Sequence, residues 1–262
     1  IENFNILGGL VLAGITGFVV IGGLKRIAEV ATFLVPLMGS IYFGAMIVAL
    51  TLNLNLVLPA FKLILVDAFN GTAIAGGTFF GVLIYGVRRG AFSNEAGMGT
   101  ESLVHGVAKV SNPVKQGLVA MTGPIFDTLI ICTATALMIL VSGVWETSSS
   151  QGVTLTAEAF SILLGSFGGL ILFVCVICFG LSTIFTYSYY GASCSRFLFG
   201  KFGMKFYIYL YILSIFIYSI VPIDIAINIA DGAFAMMAIP TLISALWLAP
   251  KVMQASKNYF KL

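Results

Sequence analysis

Charge is what this chain has least of. Its 262 residues include thirteen Lys and Arg and ten Asp and Glu, 9% in all, against 60% hydrophobic residues and a mean hydropathy of +1.08. A soluble domain carries about 25% charged residues. A surface this poor in charge cannot face water, which excludes a soluble enzyme, a nucleic-acid binder and a disordered chain. Histidine is nearly absent: His105 stands alone, without the set of ligands that zinc or haem needs. The four cysteines (Cys132, Cys175, Cys178, Cys194) lie in or beside apolar runs, so no disulfide framework is implied. Cys175 and Cys178 have redox-motif spacing, but they sit in one continuous apolar stretch and read as small packing residues. There is no phosphate-binding loop, and the glycine pairs lack the strand–turn–helix context of a dinucleotide fingerprint. The chain opens on Ile1 rather than Met and enters an apolar run almost at once, without a signal peptide. The expectation is a fragment.

What is present is apolar length. The sequence reads as an all-α membrane protein, and its 29 glycines and 22 phenylalanines suit helices that approach closely in lipid. Crossing ~30 Å of hydrocarbon takes about 20 mostly apolar residues. Seven apolar runs of 16 to about 35 residues are the candidates: Ile6–Gly23, about Ala28–Leu52, Gly71 to about His105, Ser111 to about Val144, Phe167–Cys194, Phe206–Val221 and Ile223–Ala249. Pro36 interrupts the second run, and Asn53, Asn55 and Pro59 end it. Ser111-Asn112-Pro113 is a good helix start, with a capping residue before a proline in the first turn.

The few charges are not scattered at random. With the first run pointing inward, Lys25 and Arg26, Lys109 and Lys115, Arg196, Lys201 and Lys205, and Lys251, Lys257 and Lys261 share one side, ten of the thirteen basic residues. The other side holds Lys62, Asp67, Glu146, Glu158 and Asp224. The positive-inside rule puts the basic turns, and the C-terminus, in the cytoplasm.

The third run carries residues that lipid should reject. Arg88, Arg89 and Glu95 lie within it, and Gly86, Gly90, Gly97 and Gly99 surround Ser93-Asn94-Glu95. An intramembrane Arg costs ~2.5–3.5 kcal/mol on insertion scales unless it is paired or wet. Glycines flanking a polar triplet suggest two half-helices joined by unwound backbone, which is tolerated only where it lines a polar cavity. Broken helices of this kind bind substrate in secondary transporters. The blander alternative is a re-entrant turn with the arginines marking an interface. Asp127-Thr128 is a second anomaly, a carboxylate far from either end of its run, and Asn228 and Asp231 raise the same question in the last run. Ser182-Thr183 could give Na⁺ two oxygen ligands, although back-bonding to the i−4 carbonyl is the commoner use of such hydroxyls.

The stretch Gly86-Val87-Arg88-Arg89-Gly90-Ala91-Phe92-Ser93-Asn94-Glu95-Ala96-Gly97-Met98-Gly99 resembles the alanine/glycine:cation symporter family, the sodium:alanine symporters. The resemblance continues through Asn112-Pro113-Val114-Lys115-Gln116-Gly117, Phe126-Asp127-Thr128-Leu129, Phe179-Gly180-Leu181-Ser182-Thr183-Ile184 and Met237-Ala238-Ile239-Pro240. It implies a LeuT-type five-plus-five inverted repeat, here a fragment with about seven transmembrane helices. Residues 1–53 would be the last two helices of the first repeat, 54–72 an extracellular connecting segment, and 73–262 the second repeat, with a broken helix over 73–110 and four more spans. The partner of the broken helix would lie in a missing N-terminal half.

The resemblance further implies sodium-coupled symport of a small neutral amino acid, alanine or glycine, by alternating access across a bacterial or archaeal cytoplasmic membrane. It implies no enzyme activity and no cofactor beyond Na⁺ as coupling ion. Ser93, Asn94, Ala96, Gly97, Met98, Gly99 and Thr100 would bind substrate. Ser182 and Thr183 would hold Na⁺, a role the resemblance favours over back-bonding. Asp127 would hold a second cation or a helix junction, and Glu95 would pair with Arg88 or Arg89. The chain departs from the family pattern at Thr100-Glu101-Ser102, at Ala192, and at Tyr187 and Ile227, where Trp is frequent; Ile227 would change the pocket's volume. An ion channel and an inactive truncated transporter remain the alternatives. A membrane enzyme is disfavoured, since no nucleophile–base or metal constellation stands out.

Overall fold

The computed structural model describes residues 2–69 and 78–260, which are helical almost throughout. The helices are α1 (Glu2–Val20), α2 (Gly23–Leu52), α3 (Leu54–Ala68), α4 (Thr78–Asn94), α5 (Thr100–His105), α6 (Pro113–Pro124), a π-helical segment (Ile125–Cys132), α7 (Thr133–Ser142), α8 (Val144–Thr147), α9 (Val153–Leu164), α10 (Ser166–Ile220) and α11 (Ile223–Phe260). The expected start of the third run, including Gly76-Gly77, and the junction of the connecting segment with the second repeat at 72–73 lie outside the described residues.

Four helical stretches among the described residues are long and apolar enough to cross a membrane: Lys25–Leu52, Pro113–Ser142, Ser166–Ile220 and Ile223–Phe260. The difference from seven runs has local causes. The first run yields a shorter apolar helix, Asn5–Val20. The third is split into α4 and α5. The fifth and sixth share α10, whose only non-helical residue is Gly200 (φ 70°, ψ −160°), a conformation that glycine adopts without steric cost. Residues 54–68, expected in a connecting segment, form α3.

Helix ends follow from side chains that can serve the backbone. Asn112 accepts from the Val114 amide (2.8 Å) as α6 begins at Pro113, whose missing N–H would have had no partner there anyway. Asn53 donates to Ala49 O (2.9 Å) where α2 stops. Inside the apolar helices, Thr32 and Thr51 return their hydroxyls to Ala28 O and Ile47 O, so neither presents an unmet donor to lipid.

The chain divides into two compact units. One comprises residues 36–96 and 121–179, and its core gathers Tyr42, Met46 and Ala49 of α2 with Met138, Phe160, Leu172 and Cys175. Tyr42 stacks on Phe160 (5.5 Å between centroids), meets the edge of Phe179 (5.7 Å) and hydrogen-bonds Thr135 (2.8 Å). A buried phenol without a partner would cost about 1–3 kcal/mol, so Thr135 is what permits Tyr42 to be there. Cys175 is fully buried, with its thiol 3.9 Å from Met38 O. In lipid, close packing rather than water exclusion holds helices together, and here the fully buried positions combine large side chains (Phe160, Met46, Met138) with small ones (Ala49, Ala159, Cys175).

The other unit comprises residues 1–35, 97–120 and 180–262. Val19, Val20 and Ile27 pack on Phe185, with Leu181, Ile184 and Ile208 around them. Gly191 is placed where a Cβ would overlap the Tyr207 phenol. Nearby, Tyr211 donates to Ile184 O (2.7 Å), tying the two arms of α10 together across Gly200.

Candidate functional site

In the unit built from 36–96 and 121–179, the end of α4 meets the π-helical segment. Ser93 donates to Asp127 Oδ2 (2.6 Å) and Asn94 Nδ2 donates to Thr128 Oγ1 (3.0 Å). Thr128 in turn donates to the same Asp127 oxygen (3.2 Å), and Cys132 Sγ lies 3.5 Å from Ser93 Oγ. Consecutive residues on one element thus engage consecutive residues on another. The π-helical segment is what shifts the backbone register here, inside the run from Ser111 to about Val144. Among the described residues, Asp127 has hydroxyl donors and no Lys or Arg within ion-pair distance.

The backbone then leaves the helix. Asn94 Oδ1 accepts from the Ala96 amide (2.9 Å), forming a turn closed by the side chain. Glu95 takes φ +57°, the one non-glycine residue in the left-handed region among those described, and Gly97 and Gly99 follow at +80° and +84°. Non-glycine residues held there cost on the order of 1–3 kcal/mol and persist only where the surroundings impose them. Further back on α4, the Arg89 guanidinium lies over the rings of Tyr85 (5.1 Å) and Phe92 (5.6 Å).

In the unit containing residues 97–120, Met98, Gly99 and Thr100 line a cavity of about 1080 Å³ together with Tyr187, Tyr190 and Phe234. Met98 is buried, and Gly99 approaches Thr241 so closely that a Cβ would stand 2.7 Å from its hydroxyl oxygen. Thr100 is 1% exposed, and its hydroxyl is buried without a hydrogen-bond partner. Such a group usually marks strain, a missing water or a ligand position.

The remaining expected site residues are distributed as follows. Ser182 is buried and Thr183 exposed, their side chains leaving the helix about 100° apart. The Ser182 carbonyl accepts the Thr186 hydroxyl (2.8 Å). Ile227 is 41% exposed and is not among the residues lining the cavity, whose wall on this helix includes its neighbours Ala226, Ile229 and Ala230. Asp231 is half-buried on the same helix. Sequence reasoning passed over Thr241 and did not give Thr128 its place as the partner of Asn94; the adjacency of Thr128 to Asp127 was the available signal.

A broken helix, an intramembrane carboxylate on a π-helical turn and several membrane-length apolar helices define a membrane protein with polar chemistry inside its spans. The family model of the sodium:alanine symporter family matches residues 2–262, and the chain belongs to that family. Its members are transporters, not enzymes. The chain is 36% identical to the sodium/alanine symporter AgcS of Methanococcus maripaludis, over 98% of this chain and 58% of that protein. It is 34% identical to the probable sodium/glutamine symporter GlnT of Bacillus subtilis, over 96% and 53%. It is 32% identical to a sodium/proton-dependent alanine carrier protein of a Bacillus species, over 71% and 45%. The chain spans about half the length of these relatives.

Proposed function

We propose that the protein carries a small neutral amino acid, alanine or glycine, across the cytoplasmic membrane together with Na⁺, by alternating access in a LeuT-type fold with seven membrane helices and a cytoplasmic C-terminus. The observation that carries this reading is the helix break that begins at Glu95, directly after the hydrogen-bonded group Ser93, Asn94, Asp127 and Thr128, in a chain of the sodium:alanine symporter family. Unwound backbone supplies N–H and C=O groups that no helix consumes, and an amino-acid zwitterion needs both kinds. In this reading Ser93, Asn94, Ala96, Gly97, Met98, Gly99 and Thr100 bind substrate, and Ile227 influences its size from outside the cavity wall. Glu95 pairs with Arg88 or Arg89.

Na⁺ is held by Ser182 and Thr183 with backbone carbonyls, and Asp127 offers a second cation its carboxylate. The ion drives uptake by favouring the binding-competent conformation, which it can do only to the extent that it binds that conformation more tightly. The relatives' names include both alanine and glutamine, so side-chain size is the property to vary.

The test is uptake of labelled alanine into proteoliposomes containing the protein, with and without an inward Na⁺ gradient. Saturable, Na⁺-stimulated uptake that unlabelled glycine competes supports the reading. Uptake of glutamine alone moves the substrate class, and uptake driven by a proton gradient alone replaces the ion. An ohmic Na⁺ current without saturable uptake makes the protein a channel.

A further inference from the structure

A second cavity, of about 660 Å³, lies in the unit of residues 1–35, 97–120 and 180–262, and Gly97, Met98 and Gly99 are not among its lining residues. Its size is within the ~300–1,000 Å³ usual for ligand sites. Its walls are of two kinds. Val20, Ile27, Val107 and Ile208 make it apolar, while Arg196 and Lys205 bring two cations to it. Both cations are exposed, and among the described residues neither forms an ion pair or a hydrogen bond.

The position of these residues along the chain sets the depth of the cavity. Val20, Ile21 and Gly23 are at the turn between α1 and α2, and Arg196, Met204 and Lys205 flank Gly200, where α10 leaves helical geometry. Both are ends of apolar runs in the sequence, the places where basic side chains of membrane helices meet lipid headgroups. The aromatic residues of the same turn, Phe197, Phe199 and Phe202, are 71–89% exposed, as side chains facing lipid would be. Arg26 and Lys201 stand at the same two turns, as does Lys25 with Glu29 4.0 Å from it, and among the described residues no acidic side chain lines the cavity.

We infer that this cavity is a binding site for an anionic phospholipid, with the headgroup phosphate between Arg196 and Lys205 and acyl chain against Val20, Ile27, Val107 and Ile208. The charge selects an anion, and basic pockets between membrane helices are suited to lipid phosphates. The apolar wall selects a lipid over a free phosphate, which would gain nothing from four aliphatic side chains. Lys and Arg at this depth can lay their methylene stems on the apolar wall and keep their charges at the interface.

The experiment is thermal unfolding of the purified protein in detergent, with added phosphatidylglycerol or phosphatidylcholine of identical acyl chains. Phosphatidylglycerol at about ten times its Kd is expected to raise the midpoint by about 3 °C more than phosphatidylcholine. The doubly substituted R196Q/K205Q protein is expected to lose the difference, and K251Q/K257Q, altered on α11 away from the cavity, to keep it. Should R196Q/K205Q not fold, R196K/K205R is expected to keep the difference. Native mass spectrometry of the unaltered protein should then retain phosphatidylglycerol in preference to phosphatidylcholine. Equal effects of the two lipids, an equal loss in K251Q/K257Q, no preference in the mass spectrum, or the same rise from inorganic phosphate alone would each overturn the inference.

Discussion

Ser93 and Asp127, 34 residues apart in sequence, are joined by a 2.6 Å hydrogen bond in which the serine hydroxyl donates to the carboxylate. The bond couples the last turn of α4 to the π-helical segment, and Asn94 with Thr128 repeats the coupling one residue on. A carboxylate so held has two distinct properties to test, its acceptor role and its charge.

Asp127→Asn keeps an acceptor for Ser93 and removes the charge. If the charge holds a cation, the Na⁺ concentration for half-maximal uptake should rise about tenfold or more, the equivalent of ~1.4 kcal/mol. Ser93→Ala does the reverse, removing a donor to a charged group; the expected loss is about 1.5 kcal/mol, read as a lower thermal midpoint. An Asp127→Asn protein with wild-type Na⁺ dependence would reduce Asp127 to a helix junction.

Thr183→Ala should raise the Na⁺ requirement for uptake by about tenfold, through loss of one oxygen ligand. The exposed position of Thr183 means that the substitution leaves no cavity in the core, so its thermal midpoint should be unchanged. Unaltered Na⁺ dependence of alanine uptake would remove Thr183 from the ion site.

Thr100 offers a sharper separation of stability from function. Its hydroxyl is buried and unpartnered, so the isosteric Thr100→Val change removes an unmet polar group and should stabilise the protein by about 1 kcal/mol or leave it unchanged. Uptake should nonetheless fall, because the lost hydroxyl is one that substrate would use. A stabilised protein with full uptake would make Thr100 a packing residue.

Two glycines are closed to alanine for different reasons, and a second substitution distinguishes them. The three atoms that a Cβ at Gly191 would meet first all belong to Tyr207, so Gly191→Ala should destabilise and Tyr207→Ala should restore much of the loss. Gly99 meets Thr241 and also sits at φ +84°. Gly99→Ala should therefore cost on the order of 1–3 kcal/mol even in a Thr241→Ala background, since the backbone strain remains. Thermal midpoints of the four proteins decide this.

Glu158 gives a pH dependence. The Ser148 and Ser150 hydroxyls donate to it, the latter at 2.6 Å, and hold its carboxyl below the ordinary value of 4.5. A lowered value means that the ionised form is favoured by folding. The stabilisation is thus complete above the unfolded value and is lost as the pH falls through the lowered one. The wild type should exceed Glu158→Gln in thermal midpoint at neutral pH, with the gap closing in acid. A gap of constant size would mean that the serines hold the side chain regardless of charge.

Much of the helical content was legible because apolar runs bounded by Asn, Pro, Gly and basic residues leave few alternatives to helix. The interruption after Asn94 is written in residues that each do something a helix interior does not want: an Asn that caps its own turn, and glycines at positive φ. The π-helical segment was not legible, because Ile125–Cys132 is apolar on nearly every side and carries no periodicity from which its register could be read. That Ser182 is buried and Thr183 exposed was not legible either, because both lie in one long apolar run with no polar stripe to mark its faces. The cavity-facing side of α11 was equally hidden: with little polarity to mark one face, nothing ranked Ala226 or Ala230 above Ile227.

The wide turn at Ile125–Cys132 also bears on how this chain can change length. A π-helical turn is an α-helix carrying one residue more than its hydrogen bonds require. Deleting a single residue there would leave an unbroken α-helix from Pro113 to Ser142 with its two ends in nearly their present orientation, because the wide turn absorbs the extra residue, and only the residues inside the turn, Asp127 among them, would be re-aimed. Asp127 would then no longer point where Ser93 waits for it. The segment is therefore a place where a shortened gene could still encode a well-formed helix and yet lose its contact with α4.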